Sequence, residues 1–200
     1  MDQRKALLEA AIACLQERGY ARTTTRDIVT AAGSHLPAVN YYFGSKEQLL
    51  HEAIVEALHR WTQSTMVGAR PPAPGTPRER LRLALEHFFS SLEPDRPYVV
   101  AAVEAFAQAA RSDALRERLA GAYQDARHEV AQNVAAAAGE QDGVPDTSEV
   151  ENAGVASVLL ALFDGLAIQW LMDPQRAPTT DEVMRSLDLI AAAFTGGPER

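Results

Sequence analysis

A short segment near the amino terminus, residues 24–48, constrains the fold most, because its sequence predicts two short helices around a sharp turn. Thr24-x-x-Asp27 has the spacing of a capping box, which predicts a helix beginning there. A glycine ends that helix, and a second helix follows with Val39 and Phe43 on one side. Two helices joined by a short glycine-containing turn are typical of the helix-turn-helix, whose second helix enters the DNA major groove.

This segment closely resembles the DNA-binding signature of the TetR family of bacterial transcription regulators. The resemblance covers residues 4–50, about a quarter of the chain, and the rest agrees only in helical character and length. The matching residues are Gly19-Tyr20, Thr23-Thr24, Arg26-Asp27-Ile28, Ala32-Gly33, Val39-Asn40-Tyr41-Tyr42-Phe43 and Ser45-Lys46-Glu47 with Leu49. The resemblance implies a DNA-binding domain over residues 1–47 and a ligand-binding and dimerisation domain over residues 48–200.

Helical periodicity dominates the whole chain, and no segment alternates with period two for long. Prolines and glycines divide the pattern, most clearly in residues 70–77, where four prolines exclude a helix. Residues 139–146 predict a second loop, and the carboxyl-terminal tail is expected to fray. The predicted fold is all-α, with a nine-helix two-domain architecture: helices over 3–18, 25–32, 36–43, 46–68, 77–92, 97–110, 112–138, 147–172 and 180–194.

The charge of the chain is distributed unevenly. The net charge of the 200 residues is −8, which is unfavourable for a DNA-binding protein. Residues 1–50, however, hold six basic residues against five acidic ones, whereas the remainder holds thirteen against twenty-two. We therefore expect the amino-terminal face to set the affinity for DNA and the acidic body to face away from it.

Composition favours a soluble, cytoplasmic protein. The single cysteine, Cys14, excludes an internal disulfide and lies on the apolar stripe of the first helix, where a packed thiol is expected. Glu9 interrupts the apolar run that a signal peptide would need. Residues 153–172 are the one membrane-span candidate, but Asp164 near their centre costs about 2.5–3.5 kcal/mol on insertion. We expect a buried helix there and no membrane partner.

The resemblance assigns the DNA contacts to the second and third helices. Val39 and Phe43 are expected to pack inward on Ile28 and Leu15. Asn40 suits adenine, Pro37 and Ala38 suit thymine methyl groups, and Arg26 suits guanine or a phosphate. Thr24, Thr25, Tyr42 and Lys46 are interpreted as phosphate contacts, and Lys46 lies where a helix amino terminus also attracts an anion. The predicted DNA-binding residues are Thr24, Thr25, Arg26, His35, Leu36, Pro37, Ala38, Asn40, Tyr41, Tyr42 and Lys46.

In the alternative to these DNA contacts, Tyr41 and Tyr42 are ordinary packing aromatics and Lys46 is a solvated charge. Two positions also depart from the family pattern. Ser34 replaces an apolar residue, and His35 stands where Ser or Asn usually caps the third helix, which costs about 1 kcal/mol of capping. Ser34 is an alternative cap, and a protonated His35 that touches DNA would strengthen binding.

In the body, the resemblance implies a small-molecule pocket enclosed by helices four to seven. The aromatic residues there are either pocket walls or ordinary core. Glu104 and Asp164 interrupt strongly apolar stretches, where a carboxylate must be paired or hydrogen-bonded. Each is therefore expected to bind a cationic or hydroxyl-bearing ligand, to pair with an arginine or to lie at the dimer interface. The candidate ligand-binding residues are Trp61, Phe88, Phe89, Tyr98, Glu104, Phe106, Tyr123, Asp164 and Trp170.

The last two helices are expected to pair with their copies in a homodimer. The eighth helix is apolar nearly all round, and a single chain of this size would struggle to cover it. A two-fold dimer reads a near-palindromic operator, and an effector bound in the body would change the spacing of its two DNA heads. The candidate interface residues are Val155, Leu159, Leu162, Phe163, Leu166, Leu187, Ile190 and Phe194. The family implies a repressor more often than an activator.

Two alternatives from other classes remain. One is a helix-turn-helix architectural factor without a small-molecule ligand. The other is a helical-bundle metal enzyme, because Glu56-x-x-His59 has metal-ligand spacing and Asp125-x-x-His128 imitates it. A di-iron bundle needs two complete motifs and two further glutamates, and only one complete motif is present. We expect no enzyme activity and no cofactor.

Overall fold

The computed structural model describes residues 2–62, 75–139 and 149–195. Within these ranges the chain forms nine α-helices and no strand. The helices are α1 (Gln3–Arg18), α2 (Thr25–Ala31), α3 (Leu36–Phe43), α4 (Lys46–Thr62), α5 (Pro77–Leu92), α6 (Arg96–Ala109), α7 (Asp113–Gly139), α8 (Glu149–Met172) and α9 (Thr180–Thr195). The all-α, nine-helix prediction is confirmed, and the helix boundaries lie within two residues of those predicted wherever both ends are described. The predicted end of the fourth helix, at residue 68, lies outside the described residues. The same is true of nearly all residues of the two predicted loops and of the tail.

Helices begin where a side chain satisfies their free backbone N–H groups. The capping box at Thr24 and Asp27 is present in both directions: the Thr24 hydroxyl accepts from the Asp27 N–H, and the Thr24 N–H donates to the Asp27 carboxylate. A second capping box opens α5 at Thr76 and Glu79. Ser45 caps α4 in the same way, since its hydroxyl accepts from Gln48 N at 3.1 Å. These local bonds fix the start of each helix because four N–H groups there lack a helical partner.

The chain forms two compact units. Unit 1 consists of the described parts of Met1–Ser64 and Pro94–Glu129. Its core joins the buried sides of α1, α2, α3, α4, α6 and the first part of α7. Leu7, Leu49 and Leu50 are 0% exposed there, and Cys14 is buried among them. Burial raises the pKa of the Cys14 thiol, which favours the protonated, unreactive form.

Unit 2 consists of the described parts of Thr65–Glu93 and Val130–Arg200. In it, the Phe88 ring of α5 packs edge-on against Phe163 of α8, with ring centroids 4.9 Å apart. Two ion pairs join α5 to α9: Arg78 with Asp188 at 2.6 Å, and Arg82 with Asp181 at 2.5 Å. All four side chains are largely exposed, so these pairs align the two helices rather than contribute much stability.

The boundaries of the compact units differ from those of the predicted domains. The predicted boundary between residues 47 and 48 divides the chain by role. In unit 1, however, α4 and α6 both pack on α1, so the first three helices share one core with later helices. The division by role therefore remains a proposal about function.

Candidate nucleic-acid interface

Helix α3 separates into a buried side and a face open to a ligand. Val39 and Phe43 are 1% and 7% exposed and join the core that contains Ile28 and Leu15, as predicted. The open face carries two apolar side chains, one amide and one aromatic ring. Its exposed residues are Leu36, Pro37, Asn40 and Tyr41.

Tyr41 and Tyr42 behave differently although they are adjacent. Tyr41 is 83% exposed, which excludes the interpretation of this residue as a packing aromatic. Tyr42 is half-buried against the core of unit 1, and its ring meets Tyr41 edge-on with centroids 4.8 Å apart. The packed ring of Tyr42 therefore supports the ring of Tyr41 at the open face.

Ala38 differs from its expected placement. It was expected on the DNA face, but its side chain is 3% exposed and belongs to the core. Ala38 lies four residues before the half-buried Tyr42, so both lie on the side of α3 that packs inward next to Val39 and Phe43. Ala38 thus allows close packing of α3 and presents little of its methyl group to a base.

An open groove of about 320 Å³ runs beside α3. Gln3 of α1 lines it, and the Gln3 side-chain amide donates to the Ser34 hydroxyl at 3.0 Å. The sequence did not predict a role for Gln3 in this groove, because Gln3 lies 31 residues before Ser34 and outside the helix-turn-helix segment. The other lining residues are His35, Pro37, Ala38, Tyr41 and Tyr42.

Helix α2 presents Thr24 and Arg26 as exposed residues and Thr25 as a half-buried one. The hydroxyl and the backbone N–H of Thr24 hold the Asp27 carboxylate and lower the pKa of that carboxyl. Arg18 of α1 adds an ion pair to Asp27 at 2.8 Å. Asp27 is thereby engaged by Thr24 and Arg18, which leaves Arg26 as the basic side chain that α2 presents.

The turn between α1 and α2 is fixed by buried polar contacts. The Thr23 hydroxyl, 1% exposed, lies within hydrogen-bond distance of the carbonyls of Cys14 and Gly19. Lys46 Nζ lies 3.5 Å from the Thr23 carbonyl, so the predicted phosphate contact also braces this turn. The Tyr20 hydroxyl lies 3.3 Å from Nε2 of the buried His51. Burial lowers the pKa of His51, with a smaller contribution from Arg118, which favours its neutral form.

The amino terminus of α3 lacks a side-chain cap. His35 occupies the cap position and makes no capping hydrogen bond, as its departure from the family pattern suggested. Ser34 does not supply the cap either, because its hydroxyl accepts from Gln3 and no capping bond from a side chain is found.

The substitution His35→Asn is expected to raise the free energy of unfolding by about 1 kcal/mol, because Asn is a preferred N-cap residue. Chemical denaturation of both proteins measures this difference. His35→Ala serves as the control and is expected to leave stability nearly unchanged, since no cap is lost. If His35 touches DNA in its charged form, wild-type affinity rises from pH 8 to pH 6 and that of His35→Asn does not. Equal affinities over this range would contradict the contact.

The candidate ligand residues divide between the two units. Unit 1 contains five of them and unit 2 contains four. In unit 1, the Phe106 and Tyr123 rings lie with centroids 6.1 Å apart, and Trp61 is buried. Glu104 of unit 1 differs from expectation, because its carboxylate accepts the backbone N–H of Tyr20 at 2.7 Å and is engaged by the protein itself. The full sets are Trp61, Tyr98, Glu104, Phe106 and Tyr123 in unit 1, and Phe88, Phe89, Asp164 and Trp170 in unit 2.

The metal-site alternative finds no support in the described part of the chain. No group of three or more His, Cys, Asp or Glu side chains that could hold a metal ion occurs there. Glu56, the acidic member of the complete motif, instead forms an ion pair with Arg60 at 2.7 Å. Arg60 also makes two hydrogen bonds of 2.7 Å to the Glu9 carboxylate, which ties α4 to α1.

The candidate interface residues of α8 and α9 fall into three groups. Phe163 and Leu166 are each 4% exposed and lie in the core of unit 2, because the Phe163 ring packs on Phe88. The structure thus gives these two a place within one chain rather than on an open surface. Leu159, Leu162 and Leu187 are half-buried, and Val155, Ile190 and Phe194 are exposed.

Comparison with known proteins identifies the family. The profile described as "Bacterial regulatory proteins, tetR family" matches residues 7–53. The profile described as "BetI-type transcriptional repressor, C-terminal" matches residues 77–194, more than half of the chain. The chain belongs to the TetR family. The family consists of bacterial regulatory proteins, and the carboxyl-terminal domain of this chain is of the BetI type.

Three relatives show the range of the similarity. The regulator BetI of Rhizobium meliloti (strain 1021) is 34% identical over 118 residues, which cover 58% of this chain and 57% of that protein. The nicotine-responsive repressor HdnoR of Paenarthrobacter nicotinovorans is 25% identical, over 87% of this chain and 86% of its own. A Saccharomonospora viridis regulator in complex with choline has the same fold, with a TM-score of 0.66 at 21% identity, covering 92% of this chain and 93% of that one. The chain thus spans just over half the length of the BetI relative.

One helix of this TetR-family chain has the composition of a membrane span. Glu151–Met172 of α8 has a mean hydropathy of 1.8, and 33% of its apolar window is buried within the described structure. A core helix of a soluble protein meets the same requirements of length and composition. The buried helix expected here is thus buried only in part within the described structure.

Proposed function

We propose that this protein is a repressor that binds a palindromic operator as a homodimer in the cytoplasm and is released by a small-molecule effector. The observation that carries the proposal is the open face of α3, held on a helix whose other side is buried in the core of unit 1. A rigid helix that presents an amide and aromatic groups outward meets the needs of major-groove recognition.

The contacts divide into those that read bases and those that position the protein. Asn40 is exposed and suits the N6 and N7 atoms of adenine, and Arg26 suits guanine or a phosphate. Lys46, at the start of α4, combines its charge with free backbone N–H groups, an arrangement that suits a phosphate. Thr24, Thr25 and Tyr42 are further phosphate contacts in this proposal. In this division, residues 1–47 bind DNA and residues 48–200 bind the effector and the second subunit.

The dimer proposal is supported by the uncovered apolar stripe of α9. Val183 and Met184 lie buried near its beginning, at 6% and 2% exposure. Ile190 and Phe194 continue the same side of the helix by the 3.6-residue period, but they are 53% and 86% exposed. An exposed Phe beside an exposed Ile marks an interaction surface, and a second copy of the chain covers it most economically. Val155 of α8, also exposed, belongs to this proposed interface.

We propose a small organic cation as the effector. One relative is a nicotine-responsive repressor and another was solved in complex with choline, and both compounds carry a positively charged nitrogen at neutral pH. Aromatic rings such as those of Phe106 and Tyr123 bind such cations through their negative faces. Unit 2 offers a separate candidate for binding a cation in the Asp164 carboxylate, which is half-buried in α8.

Release from DNA needs only a modest preference of the effector for one conformation. Weakening operator affinity a hundredfold requires about 2.7 kcal/mol of differential effector binding between the two states. Two DNA heads joined in a dimer must match one half-site spacing, so a small change in that spacing is sufficient.

Selection from a random DNA pool is expected to enrich a palindrome, and Lys46→Ala is expected to weaken binding to it. Two phosphate contacts are lost per dimer, so the slope of log affinity against log salt falls in magnitude by about 1.8. Tyr42→Phe, which keeps the packed ring and removes the hydroxyl, tests that contact separately. Fluorescence anisotropy over a series of salt concentrations measures both variants.

Lys5→Ala is the matched control, because Lys5 is an exposed lysine of α1 outside the proposed contacts. Its salt slope is expected to stay close to that of the wild type. Equal slopes for Lys46→Ala and the wild type would contradict the phosphate contact. If no sequence is enriched, operator recognition by this protein is refuted. If an operator is found but no organic cation changes the melting temperature, the architectural alternative without a ligand is favoured.

A further inference from the structure

Glu104 of α6 makes a long-range contact with the DNA-binding segment. It stands among small buried residues, with Ala101 and Ala105 at 6% and 0% exposure. Its Oε2 atom accepts the backbone N–H of Tyr20 at 2.7 Å, across 84 residues of sequence. A charged carboxylate that accepts a backbone N–H makes a stronger hydrogen bond than a neutral acceptor. One side chain thus ties α6 to the turn between α1 and α2.

Gly19 makes the space for this contact. Its φ is +75°, a conformation that favours glycine, and its N–H donates to the Leu15 carbonyl at 2.8 Å to end α1. A Cβ atom built on Gly19 would lie 2.8 Å from Oε1 and 3.1 Å from Oε2 of Glu104. Any larger residue at position 19 would therefore displace the carboxylate as well as strain the backbone.

The turn that Glu104 holds leads directly into α2. Tyr20 extends its ring toward His51 of α4, and Thr23 bonds back to α1 and Gly19. Residues 19–24 are accordingly held by contacts from α1, α4 and α6. The contact with Glu104 comes from α6, which follows α4 in the sequence by a further helix. The angle at which α2 and α3 leave the turn consequently depends on the position of α6.

We propose that Glu104 is a positioning residue for DNA binding: its hydrogen bond to Tyr20 N–H fixes the α2–α3 pair in the orientation that fits the operator. The inference rests on the proposed function, because it assumes that α3 reads DNA. A dimer requires both recognition helices at one spacing, so a small rotation of each head lowers affinity for both half-sites. Glu104 touches no DNA in this proposal and acts only through the turn.

The test compares operator affinities of Glu104→Ala, Glu104→Gln and Glu117→Ala by fluorescence anisotropy on the selected palindrome. Glu104→Ala removes the acceptor and is expected to weaken binding at least about tenfold. Glu104→Gln keeps an acceptor oxygen and is expected to remain within about threefold of the wild type. Glu117 is an exposed acid of α7, so Glu117→Ala removes the same charge without the contact.

The direction of the expected change is diagnostic. Loss of a negative charge lowers long-range repulsion of DNA, so charge alone predicts unchanged or tighter binding for both alanine variants. Weaker binding by Glu104→Ala with unchanged or tighter binding by Glu117→Ala supports the proposal. Affinity of Glu104→Ala equal to the wild type overturns it. Equal weakening by Glu104→Ala and Glu104→Gln also overturns it, because the retained oxygen should preserve the bond.

A second readout needs no DNA. In amide hydrogen exchange followed by NMR, Tyr20 N–H is expected to exchange faster in Glu104→Ala than in the wild type and Glu104→Gln. The amide chemical shifts of α2 and α3 are expected to change in Glu104→Ala, as the pair reorients. If the wild type selects no operator, the proposed function fails, and the Tyr20 exchange and the α2–α3 shifts then decide only whether Glu104 holds the α2–α3 pair in place. Unchanged Tyr20 exchange and unchanged α2–α3 shifts would overturn it.

Discussion

Replacing Ile190 with glutamate is expected to convert the protein from dimer to monomer and to remove operator-specific binding. In the proposed dimer, the exposed Ile190 and Phe194 of α9 are covered by the second subunit. Glutamate at position 190 would place an unpaired charge in that apolar surface in both copies, which costs several kcal/mol. A monomer contacts only one half-site, so the affinity for the palindrome falls by orders of magnitude. Sedimentation velocity and anisotropy measure the two effects.

Ala192→Glu is the matched control for this substitution. Ala192 is exposed on the opposite side of α9 from Ile190, and the change adds the same charge to the same helix. It is expected to leave the dimer intact and operator affinity close to that of the wild type. Phe194→Glu is expected to behave as Ile190→Glu does. A dimer that persists in both Ile190→Glu and Phe194→Glu would place the interface elsewhere.

Leu49→Ala is expected to lower the free energy of unfolding by about 2–5 kcal/mol. Leu49 is 0% exposed in the core of unit 1, at the end of the first turn of α4, where it packs with residues of α1 and α3. The substitution removes buried apolar surface and leaves a cavity whose walls relax only partly. Urea denaturation gives the change in stability and the slope of the transition.

Leu36→Ala controls for the loss of a leucine side chain from a helix. Leu36 is 47% exposed at the start of α3, so its truncation is expected to change stability by less than about 0.5 kcal/mol. A cost for Leu49→Ala no larger than that for Leu36→Ala would show that α4 is not packed as described. Both variants are measured without DNA, so the role of Leu36 at the DNA face does not affect the comparison.

Local signals predicted most of the fold. The capping pairs, the prolines and the helix-ending glycines determine where helices start and stop, because each satisfies or removes backbone hydrogen bonds over a few residues. The inward side of α3 was also predictable, since Val39 and Phe43 lie four residues apart on one side of the helix. The division of the chain into a DNA-binding segment and a helical body followed from the family resemblance.

Contacts between distant residues could not be predicted from such signals. Glu104 was predicted as a ligand residue because it interrupts an apolar stretch, but its partner lies 84 residues away and is a backbone group. Gln3 lines the groove beside α3 for a similar reason. On α8 the apolar residues surround the helix, so periodicity could not separate the buried Phe163 from the exposed Val155. Ala38 is small enough to suit either side of α3.

The core of unit 1 is assembled from two stretches of sequence, which affects how the protein is made. Leu49 and Leu50 share their core with Ala105, Leu115 and Leu119. During synthesis at about 5–20 residues per second, roughly 3–14 s pass between the two stretches. For those seconds the nascent DNA-reading segment has an incomplete hydrophobic core, because the residues of α6 and α7 that complete it have not yet been made. A fragment that ends after α4 would keep that incomplete core, so we expect a transplanted reading segment to fold stably only when α6 and the start of α7 accompany it.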